Sequence, residues 1–172
     1  MGQITAKEAL LLRWAELCAD SRWDDLAAKI ELNGMGVIEM SPATNIHGRR
    51  QVLIAIALES QMAPGSAFVE CSVLTTDGVR VPDVAWASAE FIARQGTPTP
   101  FVQAPEICVE VRSPSNTDAE MAYKTRLFLE AGAVEVWIVS EEGSWQIFDS
   151  QGEQSASRWP VRLDRAAEQP PH

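Results

Sequence analysis

The sequence is poor in cysteine and has no long apolar run, and each shortage excludes a class of protein. Its three cysteines, Cys18, Cys71 and Cys108, form no CxxC pair and no Cys/His cluster, which argues against structural zinc. Each lies in an apolar run, so we expect buried free thiols and a reducing compartment. No run approaches the roughly 20 apolar residues of a membrane helix, and the N-terminus lacks the pattern of a secretory leader. We therefore expect a cytoplasmic protein that does not span a membrane.

Basic charge is also scarce. Lysine and arginine total 14 against 24 acidic residues, which gives a net charge of −10. This balance disfavours loose adhesion to nucleic acid or to anionic membranes, and it lowers the expectation of a general duplex-DNA binder. A local basic cleft is still compatible with it. Its candidate residues are the arginines at 49, 50, 80, 94, 112 and 126.

The 172 residues predict one domain, residues 1–165, with a flexible tail at 166–172. Periodicity, caps and turn residues predict helices at 5–20, 21–29, 46–63, 88–95 and 117–131. They predict a hairpin at 30–40 and strands at 67–74, 79–86, 106–112, 134–140, 144–149 and 159–163. We expect Val52, Leu53, Ile56 and Ala57 to face the core, and the loop 96–105 to be exposed. Helices beside hairpin-joined strands indicate an α/β (α+β) fold with a mixed, largely antiparallel sheet.

Two carboxylates stand in strands that are otherwise apolar. Glu110 lies between Val109 and Val111 in a strand whose two faces both begin apolar, which is typical of a central strand. A buried carboxylate is costly unless it is paired, binds a metal or takes part in chemistry. The alternative for Glu110 is a salt bridge with a nearby arginine. Asp83 follows Pro82, and its alternative is a bulge or turn residue.

Lys124 lies on the apolar stripe of the helix that follows the Glu110 strand. Its helical neighbours are Met121, Leu127, Phe128 and Ala131. Lys124 lies about 12 Å into the helix, and Glu110 lies about 10 Å before the turn. The two residues should therefore sit at similar heights. The alternative is a lysine that snorkels to the surface.

Two strand carboxylates with a lysine suit metal-assisted hydrolysis of a phosphodiester. Carboxylates hold Mg²⁺, which keeps several of its waters, and bound metal lowers the pKa of water and stabilises charge on the phosphate. The lysine would position the attacking water or stabilise the developing charge.

The ordered set of segments 81–83 (VPD), 105–114 (PEICVEVRSP), 123–124 (YK) and 128–139 (FLEAGAVEVWIV) resembles the Uma-type restriction endonuclease family. Segments 33–42 (NGMGVIEMSP) and 45–47 (NIH) are similar to its N-terminal signature, so the resemblance covers roughly residues 30 to 150. That family belongs to the PD-(D/E)XK nuclease superfamily. The resemblance implies a restriction-endonuclease-like fold, a mixed sheet flanked by helices.

The resemblance also implies the site. Asp83 and Glu110 would bind Mg²⁺ or Mn²⁺ together with the main-chain carbonyl of Val111. The superfamily usually has a lysine two residues after the glutamate, where this sequence has Arg112. Arginine cannot act as a base, although it can contact phosphate through two hydrogen bonds. Lys124 matches the helix position to which the family's lysine has moved, so Asp83, Glu110 and Lys124 are the implied catalytic residues.

Two further positions match the family with less defined roles. Glu39 is either an extra acid beside the metal or an exposed strand residue. His47 either lines the cleft or is an ordinary residue at a helix start.

We expect from this a Mg²⁺-dependent endonuclease acting on DNA, as a homodimer by analogy with the superfamily. Two alternatives stay open. A nuclease-fold module that binds without cleaving predicts a Glu110–Lys124 pair and no metal. A metal-dependent hydrolase of a small phosphate ester fits the acidity and predicts a closed pocket.

Overall fold

The computed structural model describes residues 4–23, 28–42 and 44–163, which form four α-helices, one 3₁₀ turn and ten strands. The helices are α1 (Ala6–Cys18), α2 (Asn45–Gln61), α3 (Ala89–Gln95) and α4 (Asp118–Glu130), and the 3₁₀ turn is Ser21–Trp23. The strands are β1 (Ala28–Leu32), β2 (Ile38–Pro42), β3 (Gly65–Val69), β4 (Val73–Thr75), β5 (Gly78–Arg80), β6 (Val84–Ser88), β7 (Ile107–Arg112), β8 (Glu135–Ser140), β9 (Trp145–Asp149) and β10 (Gly152–Gln154).

The strands form two sheets. A six-stranded sheet has the order β10-β9-β8-β7-β6-β3, and a four-stranded antiparallel sheet has the order β2-β1-β5-β4. Within the described residues, β7 and β8 are the one parallel pair, joined through α4, and the other neighbours run antiparallel. The prediction of a mixed, largely antiparallel sheet flanked by helices is confirmed.

The strands predicted at 67–74 and 79–86 are each broken in two. The hairpin turn at Asp77-Gly78 is where the sequence places it, between β4 and β5. The chain passes from the large sheet (β3) to the small sheet (β4) before that hairpin, and back from the small sheet (β5) to the large sheet (β6) after it. Pro82 lacks the N–H that a strand ladder needs, and Asp83 follows it in the bend before β6. Asp83 therefore lies at the junction of the two sheets.

The large sheet is covered on both faces. Ile54 and Leu58 of α2 pack with Val109 and other residues on one face, while Phe91 of α3 and Phe128 of α4 pack on the other. The predicted stripe of α2 is wrong at Val52 and Ile56, which are 53% and 59% exposed. Residues 52–58 are apolar all round the helix, so spacing alone could not choose the buried side.

Both ends of α4 agree with the sequence. Thr117 and Glu120 form a capping box at its N-terminus, and Gly132, with φ +107°, follows the C-cap Ala131. The capping box predicted for α1, with Thr5 and Glu8, is also present.

Several other predictions are wrong. The helix at 21–29 is a 3₁₀ turn at Ser21–Trp23, and Lys29 belongs to β1, while 24–27 fall outside the described residues. Residues 155–163 contain no strand, and the predicted tail, 166–172, also falls outside the described part. The 96–105 loop is exposed at 96–99, as predicted, but Phe101 is buried and packs on Phe68 and Phe91. Cys18, predicted to be buried, is exposed. No helix of the described residues is long and apolar enough to cross a membrane.

Candidate active site

Asp83, Glu110 and Lys124 come together where the two sheets meet α4. Lys124 Nζ lies 3.2 Å from Glu110 Oε2, at the height that the sequence predicts. Asp83 and Glu110 are 0% and 2% exposed. Glu110 of β7, Asp83 of the bend before β6 and Lys124 of α4 thus form one cluster.

The side chain of Asp83, just before β6, takes over the hydrogen bonding to β7. β6 pairs with β7 as far as Val84 opposite Val109. Beyond that point the N–H of Val111 donates to Asp83 Oδ2 at 2.7 Å. The N–H and C=O of one strand residue point to the same side of the strand, so the carbonyl of Val111 also points toward the Asp83 side of β7.

The sequence analysis missed Lys29. Its Nζ lies 2.6 Å from Asp83 Oδ1 and 3.6 Å from Glu110 Oε2, and its side chain is 10% exposed. Lys29 was assigned to the end of a helix. The alternation of Lys29 and Glu31 with Ile30 and Leu32, read as a strand, puts both charges on one face and would have revealed them.

Glu31 is the second residue that the sequence analysis missed. It is buried, and its Oε1 accepts from the N–H of Val81 at 2.8 Å and from Lys124 Nζ at 3.4 Å. Its Oε2 lies 3.7 Å from Arg80. Glu31 thereby connects the cluster to the small sheet.

The first turns of α2 complete the surroundings of Asp83. His47 Nε2 lies 3.1 Å from Asp83 Oδ1, and Gln51 Nε2 donates to the same oxygen at 3.2 Å. The hydrogen bond to Asp83 raises the pKa of His47 above its ordinary value, although burial acts in the opposite direction. His47 is one of the residues that line the cleft.

The two carboxyl groups have opposite pKa shifts. Burial alone would raise the pKa of Asp83, but the hydrogen bond from His47 and the charge of Lys29 lower it well below its ordinary value. Burial raises the pKa of Glu110 against the opposing charges of Lys124 and Lys29. Burial lowers the pKa of Lys29, yet the charges of Glu110, Asp83 and Glu31 raise it above its ordinary value.

One acceptor in the cluster has no partner. Glu110 Oε1 is fully buried and makes no hydrogen bond within the described residues. An unpaired buried acceptor costs about 1–3 kcal/mol, and each such atom in a native structure calls for an explanation. Because this oxygen belongs to a carboxylate in a cleft, a cation from solvent can satisfy it.

The cluster lies in a cleft of about 420 Å³, whose lining includes Lys29, His47, Asp83, Glu110, Lys124 and the loop residues Ser113–Asn116. A neighbouring cleft of about 470 Å³ shares Ser41, Asn116 and Lys124 with it, so the two are adjacent. Glu39 lines this second cleft, where it pairs with Arg80, and is about half exposed. The structure therefore puts Glu39 beside the cluster and not in it.

Arg112 points elsewhere. Its guanidinium pairs with Asp118 at 2.6 Å and lines a third, largely apolar cleft of about 600 Å³ between α4 and β8–β10. A phosphate contact by Arg112 stays a prediction. Among the described residues, no group of three or more His, Cys, Asp and Glu side chains is arranged to hold a metal ion.

A comparison with known protein families identifies the family of the chain. A family model described as "Putative restriction endonuclease", Uma2, matches residues 15–169. The chain belongs to the Uma2 family. Its resemblance to Uma-type sequences is thereby confirmed, and Uma2 is the family from which the roles of Asp83, Glu110 and Lys124 were inferred.

A solved structure shares the fold of this Uma2 chain. It is the crystal structure of a "putative nuclease belonging to DUF820" from Anabaena variabilis ATCC 29413, with a TM-score of 0.64, 19% identity and 82% of each chain covered. No curated protein matches the chain.

Proposed function

We propose that the protein is a Mg²⁺-dependent endonuclease that hydrolyses DNA phosphodiester bonds. The observation that carries the proposal is the unpaired, buried Oε1 of Glu110 in a cleft beside Asp83 and two lysines. Membership of a family described as restriction endonucleases supports a nuclease, and the metal and the catalysis are our inference.

The residues present fit a hard divalent cation. Mg²⁺ takes oxygen ligands, usually one or two carboxylates, and keeps several waters. Asp83, Glu110 and the Val111 carbonyl could supply three such oxygens, and Glu110 Oε1 makes no hydrogen bond within the described residues. Fewer than three carboxylates are needed, because waters and substrate phosphate fill the remaining positions. Mn²⁺ fits the same ligands.

Each residue then has a defined task. When bound, the metal ion would lower the pKa of a water and offset charge on the phosphate. The ammonium of Lys124, already on Glu110 and at the cleft wall, would orient that water or meet the developing negative charge. Val111 N–H and Gln51 hold the carboxylate of Asp83 in place, as hydrogen bonds hold metal ligands elsewhere.

One alternative has support of its own. Lys29 and Lys124 already contact the two carboxylates, which is what a nuclease-fold module that binds without cleaving would show. The other alternative, hydrolysis of a small phosphate ester, predicts a closed pocket. The second cleft directly beside the first favours a longer substrate.

The test is cleavage of DNA by matched variants. Supercoiled plasmid and single strands are incubated with Mg²⁺ or Mn²⁺ and wild type, Asp83→Ala, Glu110→Ala or the exposed control Glu153→Ala. We expect nicking by wild type and control, its loss in EDTA, and a drop of more than about 100-fold in the two site variants. Equal cleavage by all four proteins would reveal a contaminant, and no cleavage by wild type would contradict the proposal.

Three broader expectations belong to the same proposal. They are a single domain over residues 1–165, a homodimer and a cytoplasmic location. Sedimentation equilibrium measures the dimer, and a monomer at all concentrations would contradict it.

A further inference from the structure

Lys29 occupies the gap between the two candidate metal ligands. Its ammonium touches Asp83 Oδ1 at 2.6 Å and lies 3.6 Å from Glu110 Oε2. Lys124 differs, because its two carboxylate contacts are Glu110 and Glu31. Of the two lysines, Lys29 is therefore the one that links Asp83 to Glu110.

A metal ion and the ammonium of Lys29 would compete for this gap. A divalent ion held by Asp83 and Glu110 would compete with the ammonium of Lys29, which already contacts Asp83 Oδ1 at 2.6 Å. Two cations so close repel strongly in a site shielded from water. Asp83 Oδ1 also accepts from Gln51 and contacts His47, so it has no spare position while Lys29 stays.

We propose that the ammonium of Lys29 takes the place of a divalent ion between Asp83 and Glu110 and is displaced into the cleft when such an ion binds. This inference rests on the proposed function. The side chain of Lys29 lines the cleft, so its flexible stem can turn toward solvent while β1 stays in place. Lys124 would remain on Glu110 and Glu31. Lys29 then sets the metal affinity, because every binding event must break its contacts with Asp83 and Glu110.

The test is metal affinity, measured without any substrate. Isothermal titration with Mn²⁺ and Mg²⁺ compares wild type with Lys29→Met, Lys29→Arg and the matched control Lys124→Met. Methionine keeps the length of the side chain and removes its charge. We expect Lys29→Met to bind metal at least about tenfold more tightly, Lys29→Arg to bind no more tightly than wild type, and Lys124→Met to change affinity less than Lys29→Met.

Thermal unfolding gives a second readout. Without metal, Lys29→Met should unfold at a lower temperature, because Asp83 loses its counter-ion. Added Mn²⁺ should raise its melting temperature by more than that of wild type. If Lys29→Met does not fold, Lys29→Gln carries the same expectation, since its shorter side chain still removes the charge.

The outcomes separate this inference from the proposed function. Equal or weaker metal binding by the uncharged Lys29 variant, with binding by wild type, overturns the role of Lys29 and leaves the nuclease proposal standing. Binding by the variant alone supports the role of Lys29 and contradicts a metal-dependent wild type. No binding by any of the proteins overturns both.

Discussion

At the scale of single residues, Asp83 is the most heavily bonded group of the site. It is fully buried, and its two oxygens are contacted by Lys29, His47, Gln51 and the N–H of Val111. These partners favour the ionised carboxylate and lower its pKa. The stability of the fold should therefore depend on this one charge.

We expect Asp83→Asn to lower the free energy of unfolding at pH 7 by about 3 kcal/mol, because the buried Lys29 loses its counter-ion. The pKa of Asp83 is lower in the folded than in the unfolded chain, so its contribution is present above the ordinary value of 3.8 and is lost as pH falls through the lower folded value. Urea titrations should therefore show the gap between variant and wild type narrowing below pH 4.

The matched control is Asp118→Asn, which breaks the exposed ion pair with Arg112. We expect it to cost less than about 1 kcal/mol. A gap between Asp83→Asn and wild type that stays constant down to the acid transition would contradict an ionised Asp83 with a lowered pKa.

The contact of Lys124 with Glu110 could be predicted from the sequence, whereas for Lys29 the alternation of residues 29–32 indicates only the shared strand face and not the contact with Asp83. Lys124 stands among apolar residues at helical spacing, so burial and its nearness to Glu110 follow from local geometry. Lys29 reaches Asp83, 54 positions away, through the pairing of β1 with β5. The alternation around Lys29 puts it on one strand face with Glu31, but it does not indicate which distant strand β1 pairs with.

At the scale of elements, the turn between β4 and β5 sets the position of β1. Leu32 of β1 pairs with Val79 of β5, and this pairing places the strand that bears Lys29 and Glu31. Gly78 has φ +95°, and a Cβ there would lie 1.9 Å from the carbonyl oxygen of Leu32. This glycine is thus required for the close approach as well as for the turn.

We expect Gly78→Ala to be at least about 2 kcal/mol more destabilising than Gly152→Ala. Gly152, φ +113°, also begins a strand, but a Cβ there meets nothing within 4 Å. Both variants have the strain of a left-handed backbone, roughly 1–2 kcal/mol, and the clash with β1 distinguishes them. If chemical denaturation shows equal losses of unfolding free energy for the two variants, the close approach of Gly78 to β1 does not contribute to stability.

The elements with local signals were predictable, and those defined by tertiary contacts were not. The capping box of α4 and the Asp77-Gly78 turn are encoded within a few residues. The breaks at 70–72 and 81–83 exist because the chain changes sheets there, which is a property of the whole fold. The buried side of α2 is likewise chosen by the sheet on which it packs.

At the scale of the whole molecule, the excess of acidic residues is also found in the lining of the candidate site. The main cleft is lined by four carboxylates, Glu70, Asp83, Glu110 and Glu141, against Lys29, Lys124 and His47. None of the six arginines suggested by the sequence, all of which the structure describes, lines this cleft, and Arg50 and Arg80 are buried. A DNA backbone should therefore be repelled until a divalent cation changes the balance.

We expect DNA binding to require a divalent ion. Fluorescence anisotropy with a labelled duplex should show at least about tenfold tighter binding in Ca²⁺ than in EDTA, because Ca²⁺ also takes carboxylate oxygens and offsets the cleft charge. Glu110→Ala should remove the difference. Equal affinity with and without the ion would favour the module that binds without cleaving.

The central claim, a metal site between Asp83 and Glu110, is tested most directly by anomalous diffraction from crystals soaked in MnCl₂. We predict an anomalous peak about 2.1 Å from carboxylate oxygens of Asp83 and Glu110 and from the Val111 carbonyl. We also predict that Lys29 Nζ will have left Asp83. No peak in the cleft, with Lys29 still on Asp83, would contradict the account.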